Sequence, residues 1–163
     1  MKKQGLTLIE VLIAMTILSI SIIGVVSIVI NSVKINDMAS RQLIVKERAG
    51  AEIERIKVMG YFGITPDNMA NIGYVTWDNL GGTYQLPGIP QDFGAPYNWC
   101  LFRGIDVAKT IDGQTKHYYY TLKISVEEDF VESFARRIKM DAYWIFENKL
   151  KNIEIIFVVG HRR

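Results

Sequence analysis

Twenty consecutive residues, Val11 to Ile30, carry no charge, and one glutamate, Glu10, stands at their front edge. As a helix rising about 1.5 Å per residue, such a run spans roughly 30 Å, the thickness of a bilayer's hydrocarbon core. Lys2 and Lys3 precede it. Cationic flanks stay on the cytoplasmic side, so the chain after Ile30 is expected to face outward. A carboxylate costs about 2.5–3.5 kcal/mol near the middle of a membrane span, so a glutamate beside the run needs a reason. A cleaved secretory signal fits poorly. Its apolar core is about 7–15 residues long and ends in a small-residue cleavage site, which INSVKINDMAS does not offer.

The residues GLTLIEVLIAM supply the reason. A short basic leader, Gly5, an apolar residue and then Thr7-Leu8-Ile9-Glu10 ahead of a long apolar run resemble the type IV prepilin signal. The resemblance implies that prepilin peptidase, working from the cytoplasmic side, cuts between Gly5 and Leu6 and methylates the new N-terminus at Leu6. Family members most often carry Phe where this chain has Leu6. Glycine suits the junction, because a residue without Cβ lets an extended backbone approach closely. After cleavage the Leu6 amine and the Glu10 carboxylate lie four residues apart on one helical face. The resemblance further implies that Glu10 meets the Leu6 amine of a neighbouring subunit during filament assembly. Leaving either charge unmatched in a low-dielectric bundle is costly, so the pair favours registry. The plainer alternative is a glutamate that caps the helix N-terminus and reaches to the interface.

Helical periodicity continues past the apolar run. Ile35, Met38, Gln42, Val45, Ala49, Ile53 and Ile56 recur at steps of three and four among charged residues, an amphipathic pattern able to cover a sheet. Gly60 and Gly63, with Pro66 beyond, are expected to end the helix. Gly24 lies within the span and is a place where it can loosen. Major pilins often carry a helix-disturbing proline soon after this point, whereas Ser27 and its neighbours are helix-compatible.

Composition shifts after Gly60. The stretch to Gly113 holds nine of the thirteen glycines and all four prolines. It reads as a long ordered loop with short strands, its aromatics (Trp77, Tyr84, Phe93, Tyr97, Trp99) covering one edge of a core. Three strand-like runs follow. Tyr118, Tyr120, Leu122, Ile124 and Val126 alternate in the first, Ile138, Met140, Ala142, Trp144 and Phe146 in the second, and Ile153, Ile155, Phe157 and Val159 in the third. Glu147-Asn148-Lys149 is expected to turn tightly between the last two. The expected fold class is therefore α+β and pilin-like: a long N-terminal helix, transmembrane in its first half and amphipathic in its second, packed on a small antiparallel sheet. The expected divisions are a leader at 1–5, a transmembrane or filament-core helix at 6–30, an amphipathic helix at 31–59, a variable glycine- and proline-rich region at 60–116, and the sheet at 117–163. The final hairpin resembles those of V-type minor pilins and I-type pseudopilins. Better-known major pilins close this region with a disulfide. One cysteine, Cys100, excludes an internal bridge and tilts the resemblance toward a minor or pseudopilin subunit.

No enzyme is expected. The chain lacks P-loop, GxGxxG and GxSxG patterns. Two histidines, His117 and His161, and one cysteine make no convincing metal cluster, so no catalytic, cofactor or metal site is assigned. Cys100 reads as a buried, inert thiol, and Glu127, Glu128, Asp129 and Glu132 as a solvated acidic loop. Arg136, Arg137 and Lys139, and also His161, Arg162 and Arg163, read as solvated strand ends. A net charge of +2 gives no ground for a nucleic-acid partner. The expected role is a structural subunit of a type IV pilus or type II secretion-like pseudopilus. Its partners would be prepilin peptidase, other pilins or pseudopilins, an inner-membrane platform with an ATPase motor, and the lipid bilayer. The expected location is the cytoplasmic membrane, crossed once with the N-terminus inside and the head outside, then a periplasmic or extracellular filament. The alternative is a single-pass anchored binding or sensor module that keeps its N-terminus.

Overall fold

The structure, a computed structural model, describes residues 7–111, 113–130 and 135–160. The chain divides into two compact units, residues 1–42 and 43–163. Helix α1 (Leu8–Gly63) supplies the described part of the first and enters the second. It is interrupted only at Gly60, whose φ of 68° and ψ of 179° are not helical. A positive φ is cheap for glycine, and the last turn to Gly63 follows from this kink.

In the first unit, α1 carries no charge on any side from Val11 to Val33, and residues 7–36 are exposed. Its hydroxyls are satisfied internally. Thr16, Ser19, Ser21, Ser27 and Ser32 each donate to the carbonyl four residues back at 2.8–3.0 Å. These five hydroxyls therefore need no partner outside the helix. Gly24 keeps helical geometry, and a Cβ placed there would meet open space.

The second unit is built on a four-stranded antiparallel sheet in the order β1 (Trp99–Ile111), β2 (Gln114–Phe130), β3 (Ala135–Phe146), β4 (Lys149–Gly160). One face packs on α1. Val45, Ala49, Ile53 and Ile56 are buried there against Leu122, Ile124, Ile138, Met140 and Trp144. Each fully buried aliphatic side chain contributes about 1.5–3 kcal/mol, which holds the C-terminal part of α1 on the sheet. Ile35, expected in the same stripe, is 63% exposed. The other face is covered by the chain between α1 and β1. Its short helix α2 (Pro66–Asn71), capped by Thr65, packs through Met69 into the core shared with α1, and single 3-10 turns at Trp77–Asn79 and Gly82–Tyr84 follow over the other face. Leu80, Leu86 and Ile89 from this segment pack on Phe102 and Tyr143. Lys123, 4% exposed on this face, ties the segment down by donating to the carbonyls of Pro90, at 2.9 Å, and of Asp92.

Three expectations are corrected. The sheet has four strands where the sequence suggested three, because Trp99–Ile111 pairs with β2 along its whole length. Glu127 and Glu128 belong to β2 instead of an acidic loop. Glu127 pairs with Arg137 at 2.9 Å, and Glu128 accepts from the Trp99 indole at 2.8 Å. The Arg136, Arg137 and Lys139 cluster is partly buried and partnered instead of simply solvated: Arg136 lies 4.8 Å from the Tyr61 ring centre and donates to the Ile64 carbonyl, while Lys139 pairs with Glu154 at 2.6 Å. Glu132, His161, Arg162 and Arg163 lie outside the described residues. The turn between β3 and β4 forms as expected, with Glu147 and Asn148 at φ of 49° and 59° and Phe146 paired to Lys149. Two positive φ values mark the type I′ geometry that matches strand twist.

Candidate functional site

The sequence placed the functional chemistry at the start of α1. Gly5 and Leu6 lie outside the described residues; Glu10 lies within them. Its carboxylate turns back on the helix start. Glu10 Oε2 accepts from the Thr7 backbone N–H at 2.8 Å and from the Thr7 hydroxyl at 2.9 Å. The Thr7 hydroxyl in turn accepts from the Glu10 N–H at 3.4 Å. This reciprocal arrangement is a capping box, with Thr7 at the N-cap and Glu10 three residues on. It answers backbone donors that a helix start leaves unpaired. It also places a negative charge at the positive end of the helix dipole.

Thr7 is the residue that sequence reasoning passed over. The signal was present, since Thr-x-x-Glu ahead of an apolar run spells a capping box. Both readings of Glu10 can hold together, because the cap uses one carboxylate oxygen and leaves the group at the exposed head of the helix. Behind it, α1 is uncharged, mostly aliphatic and exposed throughout from Val11 to Ile30. Among the described residues, α1 alone is long and apolar enough to cross a membrane. An apolar surface this large and continuous requires lipid or other apolar helices around it.

Residues 1–29, which include Gly5, Leu6, Thr7 and Glu10, match the prokaryotic N-terminal methylation motif. Over these residues the chain is type IV prepilin-like. No curated protein and no solved structure matches it. The prepilin motif implies processing by prepilin peptidase and assembly with other pilins, and the apolar first half of α1 fits the membrane anchor of a pilin. Pilin-like proteins are typically structural, and the α+β architecture, a long helix on an antiparallel sheet, is pilin-like as well.

Two other residues singled out in the sequence have plain roles in the head. His117, 48% exposed, bonds Asp106 across the β1–β2 ladder at 2.8 Å. Cys100 is half-buried, and its thiol donates to the Gln91 carbonyl at 3.3 Å. Burial pushes that thiol's pKa up, against a smaller opposing pull from Lys123, so little reactive thiolate forms near neutral pH.

Proposed function

We propose that this prepilin-like chain is a minor structural subunit of a type IV pilus or type II secretion-like pseudopilus. The observation that carries the reading is the methylation motif together with the charge-free, fully exposed stretch of α1 from Val11 to Ile30. The subunit waits in the cytoplasmic membrane with its N-terminus inside and its head outside. It is cut between Gly5 and Leu6, methylated at Leu6, and extracted by an ATPase-driven platform into a bundle. Helix–helix contacts then replace lipid contacts, and Glu10 aligns with the Leu6 amine of a neighbour. The lone cysteine supports a minor role, because it excludes an internal disulfide.

N-terminal mass analysis of the chain, expressed with a prepilin peptidase, tests this. The expected product begins at Leu6 and carries one added methyl group. Gly5→Val should abolish the shift. An intact Met1 in the presence of active peptidase would overturn the assignment and return the chain to the class of simple membrane-anchored modules.

A further inference from the structure

Strand β4 is an outer strand of the sheet, and among the described residues nothing pairs with its free edge. The opposite edge, β1, is partly covered, since Val75 and Phe102 exchange two backbone hydrogen bonds of 2.7 Å. The turn fixes which backbone groups of β4 are free. A two-residue type I′ loop makes Phe146 and Lys149 a hydrogen-bonded pair, and bonded and non-bonded pairs alternate from there. The N–H and C=O groups of Leu150, Asn152, Glu154, Ile156 and Val158 therefore point away from β3. Natural edges are blunted by charged side chains, lysine above all, or by proline, bulges or short length; β4 carries Lys149, Lys151 and Glu154 in its first half, and no charge from Ile155 to Gly160. That second half has none of these devices, and β4 as a whole runs twelve residues, contains no proline and pairs with β3 without a register shift.

A second feature adjoins this edge. A groove of about 640 Å³ opens between Val58, Tyr61 and Phe62 at the end of α1 and Val159 and Gly160 at the end of β4. Val58 is 87% and Phe62 71% exposed, while Ile156 and Val158 are half exposed on the opposite side of the strand. A strand added to β4 would meet apolar surface on both of its faces. Its alternate side chains would enter the groove or lie over Ile156 and Val158. Charge then selects the occupant. Lys149 and Lys151, at the other end of β4, have no carboxylate partner among the described residues. A second copy of β4 cannot answer them, because its one acid, Glu154, is already held by Lys139 at 2.6 Å.

We propose that the free edge of β4 is a strand-addition site for an extended segment of another protein. That segment alternates bulky apolar residues and carries Asp or Glu at the end lying beside Lys149 and Lys151. Main-chain hydrogen bonds supply affinity, and the groove and the lysines supply selectivity. The surface lies on the head and does not depend on processing at Gly5.

The test uses the full chain in detergent micelles and two fluorescent ten-residue peptides. Both alternate Val and Phe with polar residues; one ends in Asp and Glu, the other in lysines. The acidic peptide should bind and slow amide exchange at Leu150, Asn152, Glu154, Ile156 and Val158. Lys149→Glu with Lys151→Glu should weaken that peptide roughly tenfold and favour the basic one. Ile156→Pro removes an outward N–H together with one exposed apolar side chain, breaks no bond to β3, and should abolish binding with the tryptophan fluorescence unchanged. Val58→Asp, which leaves the strand intact, should weaken it as well. Equal binding of both peptides, binding of neither, or unchanged exchange along β4 would overturn the proposal. So would a dimer, seen by light scattering, that Ile156→Pro dissolves.

Discussion

Arg103 on β1 donates to Glu52 on α1 at 2.7 Å, joining residues 51 positions apart. The two side chains are only 25% and 13% exposed. The Tyr74 hydroxyl reaches the same carboxylate oxygen at 3.5 Å, and the guanidinium lies 5.8 Å from the Tyr74 ring centre. Burial, reinforced by the charge of Glu52, pushes the Tyr74 hydroxyl far above the usual tyrosine range, so it stays a donor at any ordinary pH. Removing Glu52 strands a half-buried cation. Glu52→Ala should destabilise the head by about 1–3 kcal/mol. Removing Glu54, whose 2.8 Å pair with Lys57 is exposed, should cost less than about 0.5 kcal/mol. Urea unfolding followed by tryptophan fluorescence reads this directly, because Trp77, Trp99 and Trp144 all lie in the 43–163 unit.

Gly104 and Tyr84 make a second tight fit. A Cβ built on Gly104 would sit 2.3–2.7 Å from three carbons of the Tyr84 ring. That ring is also set edge-on to Tyr119, and its backbone carbonyl accepts from Thr121. Neither the ring nor the strand can shift freely. Gly104→Ala should therefore cost about 1–3 kcal/mol. In a Tyr84→Ala background the same change should be nearly neutral. A double-mutant cycle by urea unfolding gives the coupling, and additive losses would show that the ring does not cover the glycine.

These two contacts also explain what the sequence concealed. Trp99, Leu101, Ile105 and Val107 alternate toward the helix side of β1, but Arg103 interrupts them. Arg103 can stand among apolar residues only because Glu52 meets it, and that partner lies on another element. Gly104 and Asp106 dilute the strand signal further, since both residue types are poor strand formers. The other three strands carried uninterrupted alternation and were readable. The same logic covers the charged clusters: Glu127, Glu128, Arg136 and Lys139 look solvated until distant partners arrive. In the candidate site the reverse held. Glycine, glutamate and a charge-free run are local features, and so is the Thr7–Glu10 cap.

Asp141 gives the head a pH dependence of known sign. It is 3% exposed on the outer face of β3. Burial raises its pKa above the ordinary 3.8, with Lys139 opposing and Glu154 assisting. A raised carboxyl pKa means that the folded head holds a proton which the unfolded chain has released. The charged form thus opposes folding at neutral pH, and the penalty fades as pH falls through the folded value toward 3.8. Asp141→Asn should stabilise the head at pH 7 by a few tenths to about 1 kcal/mol. The gain should vanish near pH 3.5. Lys139 retains its 2.6 Å bond to Glu154, so the substitution leaves no orphan cation. Urea midpoints between pH 3.5 and 7.5 check the slope, and a gain independent of pH would refute the assignment.

The capping box allows the two readings of Glu10 to be separated. Glutamine at the third helical position caps almost as well as glutamate, because its carbonyl also accepts from the N-cap N–H. Glu10→Gln therefore keeps the helix start and deletes only the charge. Thr7→Val does the converse, removing the hydroxyl that bonds Glu10 in both directions at a cost of about 0.5–2 kcal/mol in helix-end stability. If Glu10 acts by meeting a neighbour's N-terminal amine, Glu10→Gln should lower incorporation into filaments roughly tenfold or more, because it leaves that amine unmatched in an apolar bundle. Thr7→Val should assemble nearly as the parent does. If Glu10 merely caps, the order reverses. Quantifying the chain in sheared filaments, with equal membrane levels of each processed variant, decides between a residue that finishes its own helix and one that places the next.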